Sequence, residues 1–295
     1  MTDYTPGASP DEGAPIDVSC YRHPDRTSGV SCQRCERPIC PDCMKSASVG
    51  FHCPECVSSH SQRVVTPSDL ARAPVVTMAL IAINALVFVA DRLADAQTTQ
   101  NGSGTDLTLE GWLFGPAVAD GEWWRIVTSG FLHSGLMHVG FNLYMLWILG
   151  NQLEPAVGRV RFGGIYAASL VAGSVGVLLL DPRVPTLGAS GAVFGLLGAL
   201  VALAHGRGVS LSQTGLGPIL AINLVLTFAS SRISVGGHLG GLVGGLVTGW
   251  LVLTLTDAAR SGKIDRKLAR AASMAAPWIV GVGLFAVALT LAQQI

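Results

Sequence analysis

Between residues 74 and 293 the chain carries seven apolar stretches, near 74–94, 135–153, 162–180, 188–205, 215–230, 236–256 and 275–293. Each is close to the length a helix needs to cross a hydrocarbon core of about 30 Å. A backbone inside a bilayer must satisfy its own hydrogen bonds, so the expected fold class is an all-α polytopic membrane protein. Composition agrees: 49% of the 295 residues are hydrophobic and 13% charged, with a mean hydropathy of +0.48. The formal net charge is zero, which argues against a nucleic-acid partner.

Orientation follows from where the basic residues fall. Arg159 and Arg161, then Arg207, then Arg260, Lys263, Arg266, Lys267 and Arg270 occupy connections on one side, as do Arg63 and Arg72 before the first span. The other side has Arg125, Arg183 and Arg232, with Arg92 near the end of the first span. The positive-inside bias therefore predicts a cytoplasmic N-terminus and an outer C-terminus. Residues 1–17 are acidic and Pro/Gly-rich, which reads as a disordered lead-in without the basic-then-apolar start of a secretory signal.

All seven cysteines lie between Cys20 and Cys56, in the pairs CYRH, CQRC, CPDC and CPEC. Cys20, His23, Cys32, Cys35, Cys40, Cys43, Cys53 and Cys56 make eight ligands, enough for two tetrahedral zinc ions, with His52 left as a spare. A disulfide cluster is the alternative, and a cytoplasmic location disfavours it. No acid–base group or open ligand position accompanies the pairs, so the zinc reads as structural. The expected organisation is a zinc domain over 18–60, a polar linker over 61–73, a six-helix core over 74–256, a basic cytosolic loop over 257–274 and a seventh span over 275–295.

With this topology, three distant polar positions reach a similar depth, a few residues below the outer surface: Ser190 at the start of the fourth span, His238 at the start of the sixth, and His138 with Asn142 in the second. A buried polar group costs several kcal/mol unless it is satisfied, so these residues are most simply explained by facing one another. The set contains the parts of a hydrolase. Ser190 would be the nucleophile and His238 the general base, while the side chains of His138 and Asn142 and the backbone N–H of Ser190 would stabilise the oxyanion. No carboxylate stands at a matching position, so the expectation is a Ser–His dyad that needs no cofactor. Gly188 and Gly191 would let the backbone turn and approach closely at Ser190. In the sixth span, small residues recur every fourth position through Gly237, Gly241 and Gly245 and through Gly236, Gly240 and Gly244, a pattern that permits close helix approach.

GASG with Ser190, GGHLGGLVGG with His238, HVGFN with His138 and Asn142, and EWWRIVTSGFLH before them resemble the rhomboid intramembrane serine proteases over about residues 110–250. The resemblance implies a six-helix core with a water-filled cavity open to the outside. It also implies cleavage of single-pass membrane proteins in or near their transmembrane segment, and a seventh helix appended after the core. Trp124 and Arg125 match a family motif in a loop sunk into the outer leaflet, and His133 matches a recurring family histidine with no catalytic role assigned. Phe194 stands where family members often carry a tyrosine that stacks on the catalytic histidine. The cysteine region resembles a B-box-type cross-braced zinc module, which implies Cys20, His23, Cys40 and Cys43 on one ion and Cys32, Cys35, Cys53 and Cys56 on the other. Sequential pairing stays open on spacing alone.

Several bland readings compete. Ser190 alone reads as a helix-packing residue, and Trp112, Trp123 and Trp124 read equally as an interfacial belt or as a gating or substrate surface. Arg125 reads as a structural anchor, and Asn151 and Glu154 as solvated residues at the inner end of the second span. The alternative function is a non-proteolytic rhomboid-like protein that binds membrane clients, but such proteins typically lack the serine or histidine that this chain retains. A transporter is disfavoured because the spans hold no charged residue near mid-depth. Expected partners are transmembrane substrates, the lipid bilayer and a cytosolic protein at the zinc domain.

Overall fold

The computed structural model describes residues 18–47, 50–59, 74–98 and 105–295, and the chain divides into two compact units after Asp69. The lead-in over 1–17 and the linker over 61–73 lie outside the described residues.

The first unit is built from two antiparallel hairpins and a short helix, Pro54–Ser59. Strand β1 (Val30–Ser31) pairs with β2 (Pro38–Ile39), and β3 (Lys45–Ser46) pairs with β4 (Phe51–His52). Its buried core consists of Ile39 and five cysteines, Cys20, Cys32, Cys40, Cys43 and Cys53, and no disulfide joins them. A core this small supplies little apolar burial for a module of this size, the situation in which small domains rely on disulfides or metal ligation.

The second unit is helical. Its long helices are α1 (Val75–Thr98), α2 (Leu136–Val157), α3 (Arg159–Leu180), α4 (Ser190–Gly206), α5 (Leu216–Ala229), α6 (Val235–Arg260) and α7 (Arg266–Ala292). Each of the seven overlaps one expected span. Four of them, α1, α3, α6 and α7, are long and apolar enough to cross a membrane by themselves. Helix α2 has the length, with 22 residues, but carries His138, Asn142, Asn151 and Glu154. The remaining two are short, 17 residues for α4 and 14 for α5, close to the 18 and 16 of the expected runs. At about 1.5 Å per residue they fall short of a 30 Å core. Helix α4 tolerates this because it is almost wholly enclosed by protein: its residues from Ala192 to Leu200 are all buried.

Glycine sets how closely the central helices approach. The two stripes of α6 face different partners. A methyl group on Gly241 or Gly245 would collide with the carbonyls of Gly191 and Gly195 on α4, and one on Gly249 would sit 2.7 Å from Ala199 Cα. A methyl group on Gly236 or Gly240 would collide with the carbonyls of Gly176 and Ala172 on α3. Helix α6 is thus wedged backbone to backbone between α3 and α4, as small-residue packing in membranes allows.

Glu154 corrects an expectation. Rather than being solvated, it is 2% exposed and accepts hydrogen bonds from the Val76 N–H at 3.0 Å, the Thr77 N–H at 2.8 Å and the Thr77 hydroxyl at 2.8 Å. The first turn of α1 has N–H groups that no helical carbonyl can satisfy, and the carboxylate of α2 caps them from outside. Asn151 is exposed, as expected.

The segment between α1 and α2 folds as short helical turns tied together by side chains reaching main-chain carbonyls. Arg125 is buried, donates to the carbonyls of Leu109 at 2.8 Å and Trp112 at 3.1 Å, and pairs with Glu122. Trp124 donates its indole N–H to Glu110 O at 3.1 Å. Both residues anchor this segment. Helix α7 packs along α3 and α6, and its far end meets the same segment through Gln293 Nε2 on Ala119 O at 3.1 Å and an edge-on contact between Phe285 and Trp123.

Candidate functional site

The loop before α4 is pinned on both sides. Leu113 and Thr186 exchange main-chain hydrogen bonds, and the Gly188 N–H donates to Ser129 O at 2.9 Å. Gly188 adopts φ +127°, a conformation that side-chain-bearing residues rarely take, and the chain then enters α4 at Ser190. The residue at the helix cap is Ala189, whose side chain caps nothing, so the first-turn N–H groups of α4 keep their hydrogens free to donate.

His138 approaches from α2. A Cβ on residue 188 would lie 2.8 Å from its Nε2 and 3.8 Å from Ser190 Oγ, so glycine makes room for the imidazole beside the serine. The Ser134 N–H donates to His138 Nδ1 at 3.4 Å. A backbone N–H can only donate, and the Ser134 hydroxyl lies 3.1 Å from the same nitrogen, so these contacts favour an accepting Nδ1 and leave Nε2, the end beside Gly188, to carry the proton. Asn142 lies one turn further along and is buried; its amide donates one hydrogen to His138 O at 2.9 Å. His133 packs edge-on behind His138 with ring centroids 5.0 Å apart, and desolvation pushes its pKa down to about 4.

His238 comes from the first turn of α6, which Ser234 caps by accepting from the Gly237 N–H at 3.0 Å. The imidazole is 8% exposed and stacks on Phe194, with centroids 4.0 Å apart and planes 23° from parallel. Its Nδ1 lies 2.7 Å from Thr227 Oγ1 on α5. Ser190, His238, His138 and Asn142 all line one cavity of about 780 Å³, together with Ser129 and Trp112. Among the described residues His238 Nδ1 contacts Thr227, and no hydrogen bond links Ser190 Oγ to His238.

In the other unit, each of two clusters brings four donor atoms within 4.8 Å of one another: Cys20, His23, Cys40 and Cys43 in one, Cys32, Cys35, Cys53 and Cys56 in the other. The first and third pairs share a cluster, as do the second and fourth, which is the cross-braced arrangement and not the sequential one. His23 Nδ1 lies 3.3 Å from Cys40 Sγ and 3.4 Å from Cys43 Sγ, and Cys35 and Cys53 Sγ are 3.7 Å apart. These separations approach the edges of a tetrahedron with metal–sulfur bonds of about 2.3 Å. Burial alone would raise the Cys20 and Cys32 thiols, but main-chain N–H groups led by Cys40 and Cys53 bring both down to about 6. Burial and a hydrogen bond with Cys20 push Cys43 up to about 11. Three thiols with an imidazole in one cluster and four thiols in the other are donor sets that fit a bound metal ion.

The family model of the Rhomboid domain matches residues 120–255, a stretch that contains Ser190, His238, His138 and Asn142. Rhomboid protease GluP of Bacillus subtilis is 42% identical over 126 residues, 42% of this chain and 25% of its own length. YdcA of the same organism is 34% identical over 136 residues, 45% of this chain and 67% of YdcA. The chain belongs to the rhomboid family. The match spans only a quarter of GluP, and another relative, from Arabidopsis thaliana and 40% identical over 80 residues (27% of this chain, 23% of its own length), is named Inactive RHOMBOID-like protein 8. Membership therefore does not by itself establish catalysis.

Within this rhomboid, the expected site residues divide into two groups. Ser190, His238, His138, Asn142, Gly188, Gly191 and Phe194 line the cavity. Trp124 and Arg125 instead brace the segment that supplies Trp112 to its wall. The sequence reading missed Ser129, which holds Gly188, and Thr227. The only available signal for Thr227 was the polar pair Asn223 and Thr227, four residues apart in an otherwise apolar run.

Proposed function

We propose that this rhomboid is a serine endopeptidase that cleaves single-pass membrane proteins within or near their transmembrane segment. The observation that carries this reading is Ser190 at an uncapped helix start, sharing a cavity with the buried imidazole of His238 on one helix and the imidazole of His138 on another. Ser190 Oγ attacks the scissile carbonyl carbon and its proton passes to His238. The carbonyl oxygen takes the negative charge and accepts from the Ser190 N–H, His138 Nε2–H and the remaining Asn142 amide hydrogen. The His238 imidazolium then protonates the departing amine, and water entering the cavity hydrolyses the acyl-serine by the same proton exchange in reverse. Removing one donor of such an oxyanion site typically lowers kcat about 10²–10³-fold.

The accompanying assignments belong to the same proposal. The site opens outward, the N-terminus is cytoplasmic and the membrane is a bacterial plasma membrane. Residues 18–60 hold two structural zinc ions on the cross-braced ligand sets and offer a cytosolic protein a binding surface, while 74–256 form the catalytic core. Zinc there organises the fold and takes no part in the reaction. The test is cleavage of a reporter transmembrane substrate in liposomes. Wild type is expected to cleave, with Ser190→Ala and His238→Ala silent; undiminished cleavage by either variant would overturn the assignment.

A further inference from the structure

Two of the three buried residues of α5 are polar, Asn223 and Thr227; the third, Leu216, is at its start. A threonine in a membrane helix commonly donates back to the carbonyl four residues earlier, and Thr227 does so, to Asn223 O at 2.7 Å. That habit does not account for the second contact of its hydroxyl, with His238 Nδ1 at 2.7 Å, in a residue that is 1% exposed. A hydroxyl has one hydrogen, and Asn223 O, a pure acceptor, takes it. The contact with His238 can then be a hydrogen bond only if Nδ1 carries a proton and donates it to Thr227 Oγ1. A neutral imidazole protonated on Nδ1 has its lone pair on Nε2.

We propose that Thr227 is a positioning residue that fixes His238 as the Nδ1–H tautomer and so presents Nε2 as the base. It would fill the orienting place that a carboxylate holds in a triad. The inference rests on the protease reading and deepens it. When Ser190 Oγ–H gives its proton to Nε2, the Nδ1–H stays on the imidazolium and strengthens its bond to Thr227, whose own hydrogen remains on Asn223 O. No proton leaves this chain of bonds, and the gain is larger in the charged transition state than in the resting state. The two histidines thereby take opposite tautomers: His138 offers its Nε2 proton to the cavity, and His238 offers a lone pair. Because Thr227 rides on α5, the shortest of the seven helices, the base is set only when that helix is seated.

Thr227→Val removes the hydroxyl at nearly constant volume, whereas Thr227→Ser keeps it. In the full chain reconstituted in liposomes, Thr227→Val is expected to lower kcat about 10- to 100-fold with little change in KM, the range for a hydrogen bond to a charged group. Thr227→Ser is expected to recover most of the loss. In ¹⁵N-histidine-labelled protein, the His238 resonances, identified by their absence in His238→Gln, are expected to report protonated Nδ1 in wild type and a shift toward protonated Nε2 in Thr227→Val. A merely structural role would leave that tautomer signature unmoved. Unchanged kcat and tautomer in Thr227→Val, beside a silent Ser190→Ala, would overturn this inference alone. A wild type that cleaves nothing would overturn the protease reading, while the tautomer measurement would still decide what Thr227 does. If Thr227→Val does not fold, the wild-type tautomer and Thr227→Ser decide, and protonated Nε2 in wild type overturns the proposal.

Discussion

At the scale of single residues, the site depends on atoms that are absent as much as on those present. Gly188 combines φ +127° with the space that the His138 ring fills, so Gly188→Ala meets backbone strain and a collision together. The expected cost is about 1–3 kcal/mol of stability from the backbone term. Displacement of His138 should also reduce cleavage at least tenfold, as read by thermal unfolding and reporter cleavage on one preparation; wild-type rates in a folded Gly188→Ala would show that His138 is not held there. That Ser190, His238, His138 and Asn142 share one cavity was legible because each is a costly polar group in an apolar run and the expected topology put them at a similar depth. Thr227 was not, because a threonine four residues after an asparagine satisfies itself within its own helix, and only the structure reveals the imidazole on its other side. Glu154 escaped for a similar reason: a carboxylate near a span end reads as solvated until the cap it provides to α1 is seen.

At the scale of helices, the four-residue glycine repeats were legible as close-packing faces, but not that adjacent stripes serve different neighbours. One turns toward α4 and the other toward α3, an assignment fixed by tertiary packing and invisible in the spacing. A matched pair of substitutions tests the wedge. Gly245→Ala places a methyl group into the Gly195 carbonyl and is expected to destabilise by about 1–3 kcal/mol, the usual range for overpacking. Gly140→Ala on α2 points into open space and is expected to be neutral or to stabilise by up to about 1 kcal/mol through helix propensity. Equal unfolding temperatures for the two variants would contradict the backbone-to-backbone account. The apolar runs at 188–205 and 215–230 predicted α4 and α5 to within one or two residues, but not that α4 is enclosed by protein while α5 buries only Leu216, Asn223 and Thr227.

At the scale of the whole molecule, the two units are built differently, one by helix packing and one around two clusters of thiol and imidazole donors that could hold metal ions. Purified protein is expected to carry two zinc ions per chain, read by elemental analysis. Chelation should release both and expose all seven cysteines to maleimide, because the small thiol core has little else to hold it. Retention of cysteine protection after complete metal removal would contradict this. The pairing of thiols was legible only through a family likeness, since spacing equally allows sequential clusters, and the interleaved sets emerge from the hairpins that bring Cys40 and Cys43 back to His23. The central claim is that the cavity activates Ser190 as a nucleophile. The most direct measurement is the rate at which a fluorophosphonate probe attaches to the intact membrane protein, with the modified residue located by mass spectrometry. A single adduct on Ser190, lost in His238→Ala, is the result predicted; no adduct on Ser190 in folded wild-type protein, or labelling that persists undiminished without His238, would contradict it.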